Sequence, residues 1–309
     1  MADDPVLTPA DGSARAGATA VGRFAPSPTG ALHLGSLVAA IGSHLYAKSL
    51  GGRWLLRMED LDTPRNVPGA DAAILRDLER LGLEWDGPVL YQSTRLEAYA
   101  AALETLRAQG AAFACGCSRQ EVSLAGGVYP GTCRTGLPPG RTARAVRMHA
   151  PEGEVRFLDL LHGPQRQHPA RQGDFVIHRA DGIFAYVFAC VVDDAAQGVT
   201  QIARGADLLE ITGRQRLLQE ALGYPEPVYA HLPLVLDASG HKLSKSAGAE
   251  AWGDHPSDAW ARALAHLGWP LPAELQGAPV AEIRRYGLER AGKMLRARLE
   301  QGSGPVQAR

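Results

Sequence analysis

Arg23-Phe-Ala-Pro-Ser-Pro-Thr-Gly-Ala-Leu-His-Leu-Gly-Ser36 is the stretch whose reading decides the fold. Residues 20–24, with Val21 and Phe24 as bulky apolar members, read as a strand. Pro26 and Pro28, with Ser27 and Gly30, force a turn. Leu34, Leu37, Val38, Ile41 and Leu45 then form one apolar face at helical spacing, and Gly51-Gly52 stop that helix. Such a strand–turn–helix unit predicts free backbone N–H groups and the positive helix end converging on one point, where phosphate is favoured. His33 adds a donor in the first turn, and Gly35 lets a ring or phosphate approach the backbone.

The bulk numbers set bounds. A chain of 309 residues can bury a large core in one or two domains. Its formal net charge of −1 advertises no global basic field, so any nucleic-acid contact must rest on local patches such as 141–147 or 284–298. No apolar run reaches the length that spans a bilayer. Residues 1–20 lack the apolar segment of a signal peptide and read as a disordered extension. Four cysteines in a chain without an export signal predict reduced thiols and a cytoplasmic location.

Downstream, Arg53–Met58 and the residues after it read as a strand whose carboxyl end presents Glu59, Asp60 and Asp62. A helix follows with Ile74, Leu75, Leu78 and Leu81 on one face. Another opens with Ser93 as expected N-cap, carries Leu96, Tyr99, Leu103 and Leu106, and ends at Gly110. Alternating strands and helices predict a doubly wound α/β fold with a parallel sheet.

From Phe113 the pattern breaks. Cys115, Cys117 and Cys133 lie close together among glycines and prolines, a density that fits thiolates converging on one ion, with three buried thiols in a loop as the alternative, and His149 is the nearest downstream histidine. Residues 174–194 read as a hairpin around Ala180-Asp181-Gly182, with Tyr186 in its apolar second arm and Cys190 as a buried small residue. Arg204 ends a strand over 199–204, a place that favours binding a carboxylate, although a surface ion pair is the alternative. A short helix spans Thr212–Leu222, and a strand over 228–236 is interrupted by Pro233. His241-Lys-Leu-Ser-Lys-Ser246 supplies two lysines and two hydroxyls on a loop, and Trp252, Trp260 and Trp269 read as core.

The early Pro-Ser-Pro-Thr-Gly-x-x-His-x-Gly block and the late Lys-Leu-Ser-Lys-Ser block together resemble the HIGH and KMSKS signatures of class I aminoacyl-tRNA synthetases, in their glutamyl branch. Ser36 stands where the second His of HIGH would be, and Leu243 where KMSKS has Met. The spacing Cys-x-Cys-x11-Tyr-x3-Cys resembles the zinc site of glutamyl-queuosine tRNA(Asp) synthetases, with Tyr129 as fourth ligand beside Cys115, Cys117 and Cys133. The resemblance covers roughly residues 21–246 and leaves no room for the long helical region that reads the anticodon in a full glutamyl-tRNA synthetase.

That resemblance implies a class I synthetase Rossmann-like sheet divided at 21–112 and 185–250, a zinc-bearing insertion over 113–184, and a short helical region over 251–309. It implies ATP, Mg2+ and Zn2+ as cofactors. It implies L-glutamate as substrate, its contacts being Arg23, Phe24, Ala25, Pro26, Ser27, Glu59, Tyr186 and Arg204. ATP would meet Pro26, Gly30, His33, Gly35, Ser36, Lys242, Ser244, Lys245 and Ser246, with His33, Lys245 and Lys242 as the catalytic donors. The acceptor it implies is queuosine in tRNA(Asp), and the expected state is a monomer. A compact glutamyl-tRNA synthetase charging a 3′ end is the alternative within enzymes of this kind. Two others are a small-molecule adenylate-forming nucleotidyltransferase and a catalytically silent zinc-bearing RNA-binding module.

Overall fold

The computed structural model describes residues 20–236, 252–253 and 255–302. Strand β1 (Val21–Phe24) leads through the proline turn into helix α1 (Leu34–Lys48), and β2 (Arg53–Met58) returns parallel to β1 with Phe24 opposite Leu56. Helix α2 (Ala70–Arg80) carries the chain over to the short β3 (Leu90–Tyr91), parallel to β2. Helix α3 (Leu96–Ala108) follows.

A small antiparallel sheet is then built from β4 (Ala112–Cys115), β5 (Ala145–Met148) and, later, β8 (Phe175–His178), with α4 (Arg119–Leu124) between the first two. Strand β6 (Val155–Asp159) pairs antiparallel with β7 (Gly163–Gln167). After α5 (Tyr186–Ala196), strand β9 (Gln201–Gly205), helix α6 (Thr212–Leu222) and strand β10 (Val228–Leu232) complete the sheet, β10 lying parallel to both β9 and β6. Helices α7 (Pro256–His266) and α8 (Val280–Gly302) pack against α1.

The parallel sheets meet where Thr200 N–H donates to Val21 O at 2.9 Å and Val21 N–H donates to Thr200 Oγ1 at 2.9 Å. The resulting order is β3-β2-β1-β9-β10-β6-β7. Strand order reverses between β1 and β9, so a crevice opens at their carboxyl ends, where open α/β sheets bind ligands.

The α1 face packs as its spacing dictates. Leu37, Ile41 and Leu45 are fully buried against Trp54, Leu56 and Leu78. Trp252 and Trp260 join the same core, and the Trp260 indole N–H donates to Leu81 O at 2.8 Å. No helix among the described residues is long and apolar enough to cross a membrane.

Three expectations need correction. The hairpin over 174–194 is only a stub: Arg179 N–H meets Ile183 O at 2.9 Å, and the bridge pairs His178 with Phe184. Residues 186–196 are then the helix α5, buried against α3, α6 and β8, so a run apolar on every side hid the helical period. Ser93 does not cap α3. Its N–H and hydroxyl both donate to Asp60, at 2.8 and 2.6 Å, in the turn before that helix. Nor are Arg147 and Arg284 parts of open basic patches, since Arg147 is buried and Arg284 Nη1 donates to Gly82 O at 2.8 Å.

Gly52 is confined by backbone on two sides: a Cβ there would lie 2.4 Å from Ala20 O and 2.7 Å from Ala47 O. Gly52→Ala should therefore lower the stability read by thermal denaturation by about 1–3 kcal/mol, and an unchanged midpoint would contradict this packing.

Candidate active site and thiol cluster

A cavity of ≈ 620 Å³ occupies the crevice between β1 and β9. One wall is the segment after β1, with Arg23, Phe24, Ala25, Pro26 and Ser27, together with His33, Gly35 and Ser36 at the start of α1. The facing wall carries Tyr186 at the start of α5 and Arg204 in β9. Ten sequence-predicted residues thus converge on one space, while Gly30 and Glu59 lie outside its lining. The predicted Lys242, Ser244, Lys245 and Ser246 fall outside the described residues.

His33 is the N-cap of α1 in extended backbone. Its Nδ1 accepts from Gly35 N–H at 3.1 Å and Ser36 N–H at 3.4 Å, while Ser36 Oγ accepts from His33 N–H at 2.8 Å. The expectation of free backbone donors at this turn is therefore wrong for Gly35 and Ser36, because the ring closes on them. With Nδ1 accepting, the neutral imidazole carries its proton on Nε2.

Arg23 is buried, and Nε and Nη2 donate to the two oxygens of Asp194 at 2.9 and 3.3 Å. Arg57 reaches the same carboxylate at 2.8 Å and Gln197 at 2.7 Å. The neighbouring Asp193 accepts from Gln92, Arg95 and the Tyr99 hydroxyl, at 2.9, 3.1 and 2.7 Å. Both acids come from α5, so one helix fastens β1, β2 and the start of α3.

Glu59 sits just behind this cluster, its N–H bonded to Pro26 O at 2.9 Å and its carboxylate 3.8 Å from Arg57. Burial pushes that carboxyl up to about 7, with Arg57 and Arg23 pulling the other way. Burial also raises the Tyr186 phenol, so it is a neutral hydroxyl at physiological pH. Sequence reading missed Asp194, Arg57, Asp159, His231 and Thr212 behind the walls and Arg65 and Asp207 among the lining. Asp207 carried a usable signal, standing three residues after Arg204 at a carboxyl strand end.

The predicted thiols do converge. Cys115, Cys117 and Cys133 place their sulfurs within 4.8 Å of one another, with Cys117 and Cys133 at 3.9 Å. Tyr129 sets its hydroxyl 3.6 Å from Cys115 Sγ and accepts from Cys133 N–H at 2.8 Å. Tetrahedral zinc with bonds of about 2.3 Å to sulfur and 2.0 Å to oxygen separates its ligands by roughly 3.8 Å (S···S) and 3.5 Å (S···O). The cluster fits that spacing. His149 does not join it; its ring lies against Phe113, and Nδ1 is 4.0 Å from Asp174. Arg147 closes the cluster from behind, its Nε donating to Cys115 Sγ at 3.3 Å and its guanidinium 4.1 Å over the Tyr129 ring.

Removing Asp194 would leave Arg23 and Arg57 buried without their shared carboxylate. Asp194→Ala is expected to cost about 3–5 kcal/mol in a urea unfolding measurement, and a loss below about 1 kcal/mol would show that water or Glu59 compensates.

The family model for tRNA synthetases class I (E and Q), catalytic domain, matches residues 19–125 and 139–290. A glutamyl-Q tRNA(Asp) synthetase of Thiobacillus denitrificans is 56% identical over 274 residues, covering 86% of this chain and 91% of that one. The corresponding protein of Geobacter sulfurreducens is 50% identical over 305 residues, covering 93% and 96%. Among solved structures, the glutamate-tRNA synthetase of Elizabethkingia anophelis superposes with a TM-score of 0.75 at 26% identity, over 92% of this chain and 71% of that one. A glutamate tRNA ligase of Elizabethkingia meningosepticum, solved with its amino acid, gives 0.67 at 30% identity; 75% of this chain matches 53% of that longer one. The chain belongs to the class I tRNA synthetase catalytic-domain family of the E and Q type, and within it to the glutamyl-Q tRNA(Asp) synthetases, enzymes of the ligase type.

Proposed function

We propose that this enzyme activates L-glutamate with ATP, without needing tRNA, and transfers the glutamyl group to queuosine in the anticodon of tRNA(Asp). The observation that carries the glutamate reading is the cavity at the strand-order reversal, which sets an arginine on each wall, with Tyr186 beside them. The acceptor is taken from the relatives' name.

In activation, a glutamate carboxylate oxygen attacks the α-phosphorus of ATP, and the bond to pyrophosphate breaks. Negative charge concentrates on the phosphoryl oxygens, so positioned donors matter more than an acid or base. His33 is such a donor through Nε2–H, and the positive end of α1 adds to it. Lys245 and Lys242 are assigned the same task from the sequence, and Mg2+, brought with ATP, would supply further charge stabilisation of the phosphates. Arg204 and Arg23 receive the substrate carboxylates and Tyr186 hydrogen-bonds from the cavity wall, while Glu59, behind that wall, is assigned to the ammonium from the family resemblance.

Zn2+ would be held by Cys115, Cys117 and Cys133 with Tyr129 as fourth ligand, and would supply a structural cross-link to the Gly- and Pro-rich lobe. The second reading, a compact glutamyl-tRNA synthetase, is favoured by the solved neighbours, which are glutamate-tRNA ligases.

Incubating ATP, labelled glutamate and tRNA(Asp), with or without queuosine, and mapping the label separates these readings. The label should sit on queuosine and survive removal of the 3′ adenosine; label lost with that adenosine supports the second reading. Arg204→Ala should abolish glutamate-dependent pyrophosphate exchange, whereas unchanged exchange removes it from the site. The purified protein should contain about one equivalent of zinc. Cys133→Ser should lose that metal and make the lobe protease-sensitive while retaining pyrophosphate exchange; a metal content unaffected by this change would refute the ligand set.

A further inference from the structure

Arg204 is held on two of its three nitrogens. Nε donates to His231 Nε2 at 3.1 Å, and Nη2 donates to Thr212 Oγ1 at 2.8 Å and Leu208 O at 3.5 Å. The Thr212 hydroxyl donates in turn to Leu208 O at 3.0 Å. Nη1 is buried and has no hydrogen-bond partner among the described residues, although Arg204 lines the cavity. An unmatched buried guanidinium nitrogen is costly unless a ligand meets it.

The tautomer of His231 follows from this arrangement. Guanidinium Nε can only donate, so His231 Nε2 accepts and Nδ1 bears the proton. Nδ1 lies 2.6 Å from Asp159 Oδ2, which also accepts from His231 N–H at 3.0 Å. The other oxygen of Asp159 accepts from Leu161 and His162 N–H, at 2.9 and 2.8 Å. His162 Nε2 lies 2.9 Å from His231 O. Asp159 on β6 thus fixes the imidazole on β10, which fixes the arginine on β9.

We infer that Asp159 and His231 are positioning residues for Arg204, holding its guanidinium so that the Nη1 edge is presented to the substrate carboxylate. This rests on the glutamate reading above. The groups that grip Nε and Nη2 are neutral, so they orient the cation without cancelling its charge. Burial holds the His231 imidazole below its ordinary range against the pull of Asp159, which keeps the accepting form.

The test is ATP–pyrophosphate exchange with the full chain. His231→Leu should raise the glutamate KM by at least about tenfold while moving the ATP KM by less than about twofold. His231→Gln, which restores an acceptor, should recover much of the loss. A folded His231→Leu protein with an unchanged glutamate KM, or with both KM values raised together, overturns the inference. Should His231→Leu fail to fold, Thr212→Val decides: a glutamate KM raised several-fold alone supports the positioning role, and no change refutes it. Arg204→Ala keeps the two readings apart. Loss of exchange there, with a silent His231→Leu, sinks only the positioning claim, whereas unchanged exchange in Arg204→Ala removes Arg204 from the glutamate site and the positioning claim with it.

Discussion

Asp193 and Asp194, adjacent on α5, neutralise Arg23, Arg57 and Arg95 from three other segments, and much of the site depends on that arrangement. Moving such charges out of water is expensive, and a hydrophobic replacement of the same shape could be equally stable. What the ions contribute is geometry. Asp194 is reached at once by β1 and β2, so α5 can seat in one position across the ends of both strands. Tyr186, the first residue of that helix, is thereby aimed into the cavity. With Glu59 included, three carboxylates face three arginines, which leaves Glu59 buried in a field that nearly cancels and close to its protonation point.

The two cavity arginines are consequently unlike. Arg23 meets Asp194 through two nitrogens, so its charge is already balanced inside the protein. Arg204 is gripped by an imidazole, a hydroxyl and a carbonyl, with the nearest carboxylate of that chain, Asp159, one residue farther on. In a low-dielectric wall the second arrangement attracts an anion more strongly. Under the proposed glutamate reading, Arg204 is the one with an unmatched nitrogen to offer a carboxylate, and Arg23 contributes shape as well as charge. Composition and spacing could not separate them, since both stand at carboxyl strand ends.

Legibility in the sequence followed the range of the interaction. The α1 face, the Thr212–Leu222 helix stopped by Gly223, and the thiol spacing are local patterns, and each is realised. Gly223 takes a left-handed conformation, φ 67°, as a helix-ending glycine should. The α5 helix is not legible because Phe188, Val191 and Val192 favour strands, and burial on every side leaves no polar stripe to betray the period. Asp159 and His231 are 72 positions apart, and only the parallel pairing of β6 with β10 joins them. No reading of local spacing reaches that far.

Ser36 shows how a departure from a signature can be structural. An N-cap is usually Ser, Thr, Asn or Asp, whose short oxygen reaches the first-turn N–H groups. Here His33 takes that place and spends Nδ1 on it, which directs Nε2–H away from the helix. The reciprocal half of the capping box must come from three residues on, where Ser36 Oγ accepts from His33 N–H and donates to His33 O, both at 2.8 Å. An imidazole at position 36 would set a bulkier ring where the hydroxyl makes both contacts. The serine fixes the backbone of the histidine, the histidine caps the helix, and the cap orients the imidazole at this end of the cavity.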